Sequence, residues 1–181
     1  MEVLREHHGI ILSQSKFIVD LLKEFDITHI SLVSSLLDLT VKLSLNDGDD
    51  ISNLTVYRNL LGKLNYLTHT RPDLAFTVQH LSQFMQDPHL PHLTAAFHVL
   101  CYLSKESGLG LFLNAFCSFE LLAFCDSNWG TCPNPRKSVS QFYILLGGSP
   151  ISWNSKKQTS ISLSSVETEY HSMRRVVAEL T

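Results

Sequence analysis

Two carboxylates stand where chemistry is easiest to place. Asp126 directly follows the apolar run Phe119–Cys125, so it is expected at the C-terminal end of a strand. Glu169 lies three residues after Val166 and four before Met173. It therefore falls on or beside the apolar stripe of an expected final helix, the stripe expected to face the sheet. A carboxylate aimed at a sheet is unfavourable unless it is paired or binds a metal. If the helix crosses the sheet, the two groups converge and make a hard-oxygen site for Mg²⁺. Paired Mg²⁺ ions activate a water and stabilise the leaving oxygen of a phosphodiester. The alternative keeps Asp126 as a turn cap and Glu169 on a solvated helix face. Position alone leaves both readings open.

Basic pairs flank the same half of the chain: Arg136 with Lys137, Lys156 with Lys157, and Arg174 with Arg175. Each pair could meet phosphates, although separated pairs are usually ordinary surface charge. Trp129 and Trp153 could stack on a base or sugar, but packing is the commoner role for such residues. Cys101, Cys117, Cys125 and Cys132 form no CxxC pair. They are expected as reduced thiols of an intracellular protein. Nine histidines are scattered; His89 and His92 are close, but no carboxylate or cysteine completes a metal pattern.

The elements that must position these groups change character midway. Gly9–Ser13 reads as a short strand, followed by a helix with Phe17, Ile18, Leu21, Leu22 and Phe25 at helical spacing. Residues 44–53 are polar and turn-rich. Three helices are then expected. The first carries Tyr57, Leu60, Leu61, Leu64 and Leu67. The second begins at Pro72 and carries Leu74, Val78, Leu81 and Met85. The third follows Pro88 and Pro91, carries Leu93, Phe97, Leu100 and Leu103, and stops near Gly108. From about residue 111 the pattern becomes strand-like: Leu111–Phe116, Phe119–Cys125, Gln141–Leu146 and Ile151–Asn154. Gly147–Pro150 forms a hairpin turn between the last two. Thr159–Leu163 is strand-like too. Ser164 and Glu167 have capping-box spacing ahead of a helix with Val166, Tyr170, Met173 and Val177 on its stripe.

The bulk properties set outer limits. The chain has 181 residues, 44% of them apolar and 17% charged, which excludes extensive disorder. Its net charge of −3 argues against a strongly basic nucleic-acid clamp but leaves room for a local patch. No apolar run has the length of a membrane span, and the charged start has no secretory core. The expectation is an intracellular protein, cytoplasmic or nuclear, not secreted and with no membrane partner.

The chain resembles the Pol polyprotein of Ty1/copia-type LTR retrotransposons. The block Tyr57–Phe76, Leu81–Met85 and the His92–Leu103 helix carry the first half of the likeness. Cys125-Asp126-Ser127-Asn128-Trp129-Gly130, Ile151–Gln158 and Leu163-Ser164-Ser165-Val166-Glu167-Thr168-Glu169-Tyr170 carry the second. The resemblance implies an α+β chain. Residues 1–110 would be the C-terminal part of a reverse transcriptase (end of palm, thumb and connection). Residues 111–181 would be a truncated RNase H-like β-β-β-α domain. It further implies that Asp126 and Glu169, the latter rather than Glu167, hold the Mg²⁺ that cuts the RNA strand of an RNA–DNA hybrid. Such hybrids are gripped through backbone and 2′-hydroxyl contacts, which suits Arg136, Lys137, Lys156 and Lys157 as nucleic-acid contacts.

There are departures. The paired polymerase aspartates and the third RNase H carboxylate are not in these 181 residues, and Asn128 stands where the family has a second Asp. Ser138-Val139-Ser140-Gln141 replaces the usual Ser-Thr-Ser-Gly. The expectation is a Pol fragment without autonomous activity. The alternatives are a minimal Mg²⁺-dependent ribonuclease and a non-catalytic nucleic-acid-binding module. An open sheet edge left by absent later strands is expected to drive self-association.

Overall fold

The computed structural model describes residues 1–27, 33–37, 41, 43–45, 48–115, 118–130 and 137–181. The fold is mixed α and β. Strands β1 (Glu2–Glu6) and β2 (Gly9–Ser13) lead into helix α1 (Ser15–Glu24). Helices α2 (Leu54–Leu67), α3 (Ala75–Ser82) and α4 (Leu90–Lys105) follow. Then come β3 (Gly110–Asn114), β4 (Leu121–Asn128), β5 (Val139–Leu146), β6 (Ser149–Lys157) and α5 (Ser165–Glu179). One sheet has the order β1-β2-β3 and the other β4-β5-β6. The chain forms two compact units, Met1–Leu4 with Ile11–Leu111, and Arg5–Ile10 with Phe112–Thr181.

The first unit is built on helical apolar stripes. Asn53 caps α2 by accepting a hydrogen bond from the Thr55 amide at 3.0 Å. Tyr57, Leu60, Leu61, Leu64 and Leu67 then fall on one face, and all five are fully buried. Ile18 and Leu21 of α1 and Ala96, Val99, Leu100 and Leu103 of α4 join the same core. The Tyr57 hydroxyl donates to the Leu81 carbonyl at 2.7 Å, and burial pushes this phenol well above the ordinary tyrosine value. The segment opening at Pro72 begins as a 3-10 turn, Pro72–Leu74, and continues as α3. Met85 lies beyond the end of α3 and is exposed, so the expected stripe stops at Leu81.

Two polar devices tie this unit together. Arg71 is 1% exposed and forks onto both carboxylate oxygens of Asp73 at 3.0 and 2.8 Å. It also donates to the Glu106 carbonyl at 2.7 Å and lies over the Tyr102 ring. Burial would lower the Arg71 guanidinium, but the paired carboxylate outweighs it and the net shift is upward. At the start of α4, the His89 amide donates to Nδ1 of His92 at 2.8 Å. His92 Nε2 lies 3.0 Å from the Ser44 carbonyl, so His92 is neutral with its proton on Nε2. Asp50 Oδ1 lies 3.6 Å from His89 Nδ1, and the histidine pair is a helix cap.

The second unit is an antiparallel three-stranded sheet crossed by α5. β4 is longer than its apolar run suggests: it continues through Asp126 to Asn128, so Asp126 lies within the strand. β5 and β6 meet at Gly147 and Gly148, with φ of 56° and 78°. That is a two-residue hairpin turn only glycine-like residues adopt easily, and it leaves Ser149 and Pro150 inside β6. Thr159–Leu163 forms no strand; it is the irregular lead into α5. Ser164 caps α5 by accepting from the Glu167 amide at 3.2 Å, and Glu167 reaches back to the Leu163 amide at 2.7 Å. The expected β3 run ends at Asn114, and Phe116 lies outside the described residues. Among the described residues no helix is long and apolar enough to cross a membrane.

The face that α5 turns to the sheet is the main correction. Val166, Tyr170, Met173 and Val177 are all at least half exposed. The buried face is Thr168, Ser172 and Val176. Small side chains allow the helix backbone to approach the strands closely, and their hydroxyls satisfy groups that would otherwise be stranded.

Candidate metal centre

The site is set by where α5 meets β4. Ser172 Oγ donates to the backbone carbonyl of Asp126 at 3.0 Å and lies 3.4 Å from the carbonyl of Gln141. Asp126 and Gln141 are register partners on β4 and β5. One hydroxyl therefore seats α5 astride the rung that carries Asp126. Glu169 lies one helical turn before Ser172 and is half-buried.

Orientation follows from the two repeats. Arg175 of α5 lies over the Phe142 ring of β5, and Glu179 accepts from Ser152 of β6, so this flank of the helix leans towards β5 and β6. Glu169 is roughly a third of a turn around from Arg175, on the flank that overhangs β4. β4 is an edge strand, and among the described residues its outer side carries no partner in the sheet. Along β4, Cys125 packs with Phe142, Ile144 and Val176 beneath the helix. Strand alternation puts the exposed Asp126 side chain on the other face, in a row with Gln141 and Ser155. The two carboxylates thus border the same open edge of β4, one from each face.

Neither carboxylate forms an ion pair among the described residues. Each is a hard oxygen donor, the ligand type Mg²⁺ takes. No group of three His, Cys, Asp or Glu able to hold a metal occurs among the described residues. The basic candidates gather near the same end of the sheet. Lys157 pairs across β5 with Val139, itself opposite Asn128, and Lys156 with Ser140, opposite Ser127. Lys137 lies two residues before β5, and Arg136 lies outside the described residues.

A polar network that the sequence reading missed lies under the first turns of α5. Gln158 Nε2 donates to Ser140 Oγ at 2.8 Å and to the Thr168 carbonyl at 3.1 Å. Gln158 Oε1 accepts from Ser162 Oγ at 3.0 Å. Ser138 Oγ lies 3.2 Å from Thr168 Oγ1 and also accepts from the Gly130 amide. Trp129 Nε1 donates to the Ser162 carbonyl at 3.0 Å, a structural role for this indole. The signal for the network was the four-residue spacing of Thr168 and Ser172, overshadowed by the apolar stripe beside it.

The chain is similar to the Retrovirus-related Pol polyprotein from transposon RE1 of Arabidopsis thaliana, 36% identical over 180 residues, 99% of this chain. It is also similar to the Retrovirus-related Pol polyprotein from transposon TNT 1-94 of Nicotiana tabacum, 30% identical over 179 residues. A shorter relative, the Uncharacterized mitochondrial protein AtMg00810 of Arabidopsis thaliana, is 34% identical over 173 residues, 96% of this chain and 72% of its own length. The chain belongs to the copia-type retrotransposon Pol family. It spans 12% and 13% of the length of the two polyproteins. No family model matches the chain, and no solved structure matches it. Asp126 and Glu169 are thus candidate site residues of a copia-type Pol segment.

Proposed function

We propose that the second unit of this Pol segment is the opening portion of an RNase H-like domain. In this reading Asp126 and Glu169 hold Mg²⁺ for cutting the RNA strand of an RNA–DNA hybrid. The observation that carries it is the Ser172–Asp126 hydrogen bond, which seats the helix bearing Glu169 on the strand bearing Asp126. When bound, Mg²⁺ would supply a polarised water and charge neutralisation at the phosphodiester. The protein's own part is to present two negative oxygens at an edge and to grip phosphate with Lys137, Lys156 and Lys157. Arg136 would extend that grip. Residues 1–110 are read as the end of a reverse transcriptase, a helical support for the polymerase.

Two carboxylates hold Mg²⁺ weakly, because charge and geometry both fall short of a full ligand set. The 181-residue chain is therefore expected to bind hybrid in a salt-dependent way without cutting it. Incubation with a labelled RNA–DNA hybrid and Mg²⁺ tests this. Cleavage that Asp126→Asn abolishes would replace the inactive-fragment reading with an autonomous ribonuclease.

A second reading concerns association. Among the described residues β4 has a strand neighbour on one side only, beside exposed Leu122 and Phe124, and α5 adds Val166, Tyr170, Met173 and Val177. An open strand next to apolar side chains is a template for pairing with a second copy. Size-exclusion chromatography is expected to show a dimer or larger species; a stable monomer would overturn it.

A further inference from the structure

We propose that Gln158 is the positioning residue of the carboxylate pair, setting the axial register of α5 so that Glu169 stands over the β4 edge. The proposal rests on the reading of Asp126 and Glu169 as metal ligands.

Gln158 directly follows the last residue of β6 and faces two other elements. Its Nε2 bridges Ser140 of β5 and the carbonyl of Thr168 in α5, and its Oε1 is taken by Ser162 in the lead to that helix. Its own amide donates to the Ser138 carbonyl at 2.8 Å, which ties its backbone to the start of β5. Gln158 is 9% exposed, Ser140 3%, Ser162 4% and Thr168 0%. Bonds in so dry a place are directional, and breaking one strands a buried polar group. The peptide that accepts from Gln158 is the one joining Thr168 to Glu169. Any slide or rotation of α5 that moved Glu169 along the edge would have to break that bond.

An apolar side chain of the same size could fill this space, but it would hold the helix equally well in several registers. The apolar cluster under α5 among the described residues, Phe142, Ile144 and Val176 with Cys125 beside them, is too small to choose among them. Two polar anchors one turn apart make the choice: Gln158 on the Thr168 carbonyl, and Ser172 on the Asp126 carbonyl. Gln158→Glu keeps the shape and the acceptor but loses both donors. Gln158→Leu removes the whole set.

The test uses the 181-residue chain and Mn²⁺ as a paramagnetic stand-in for Mg²⁺, with bound metal read by electron paramagnetic resonance. The wild type is expected to bind Mn²⁺, and Asp126→Asn to lose it. Gln158→Glu and Gln158→Leu should each weaken Mn²⁺ binding about tenfold, the usual scale for a residue that orients a ligand. Amide exchange of residues 166–172 should rise at least tenfold in both variants, while exchange within α2 stays unchanged. Wild-type Mn²⁺ affinity in both Gln158 variants, or unchanged exchange in α5, would overturn the positioning role. Failure of Asp126→Asn to alter Mn²⁺ binding would instead overturn the metal reading, and the exchange data would still decide what Gln158 does. If Gln158→Leu fails to fold, Gln158→Glu carries the same measurements.

Discussion

The two units solve the same problem with different means. In the first, fully buried leucines from α2 and α4, with Tyr57, fill a continuous helical core, and one buried arginine closes its polar end. In the second, Phe142, Ile144 and Val176 are the buried core cluster, and much of the apolar surface of α5 and β4 faces outwards. Hydrogen bonds from Gln158, Ser138 and Ser172 take over the work of specifying how the helix sits. The lesson is that one region is held mainly by burial and the other mainly by polar registration. The region held by registration is the one that carries the candidate site.

The contrast can be broken first at Arg71. Arg71→Ala empties a fully buried site and leaves the Glu106 carbonyl and the partly exposed Asp73 carboxylate without their donor; it is expected to destabilise the first unit by about 3–5 kcal/mol, read by urea unfolding. Next is Leu64→Ala, which opens a cavity in the packed stripe and should cost about 2–5 kcal/mol in the same assay. Val176→Ala should cost only about 1–2 kcal/mol, because two methyl groups leave a thin core. Equal losses for Leu64→Ala and Val176→Ala would erase the distinction between the units.

The Tyr57 phenol gives a pH signature to the first unit. Its folded value is raised above the ordinary 10.0. The folded state therefore keeps a proton that the unfolded chain has released, and stability declines as pH rises above about 10. Tyr57→Phe should flatten that decline in alkaline unfolding curves. Smallest is the effect expected from Val177→Asp on the exposed stripe of α5. It should change stability by less than about 0.5 kcal/mol while shifting the chromatographic species towards monomer.

Reading the sequence succeeded wherever one residue type repeated at one period. Tyr57, Leu60, Leu61, Leu64 and Leu67 announced a buried helix face, and Gly147-Gly148 announced a hairpin, because each rests on local geometry. It failed on α5, where two faces competed. The louder one, Val166, Tyr170, Met173 and Val177, is exposed, and the quieter Thr168, Ser172 and Val176 lies on the sheet. It also ended β4 at Cys125, although pairing with β5 carries the strand on to Asn128. Asp126 and Glu169 could be singled out as chemically apt, but their relation to the β4 edge depends on pairing and helix rotation.

The sequence by itself determined the family, the helical stripes of the first unit and the acidic and basic residues available for chemistry. Those are properties of residue type and short-range spacing. Only the tertiary structure decided which face of α5 is buried, that Asp126 sits inside an edge strand, and that Gln158 reaches the peptide beside Glu169. Each of these is a choice among packings of similar apolar area, and specific hydrogen bonds between distant segments make that choice.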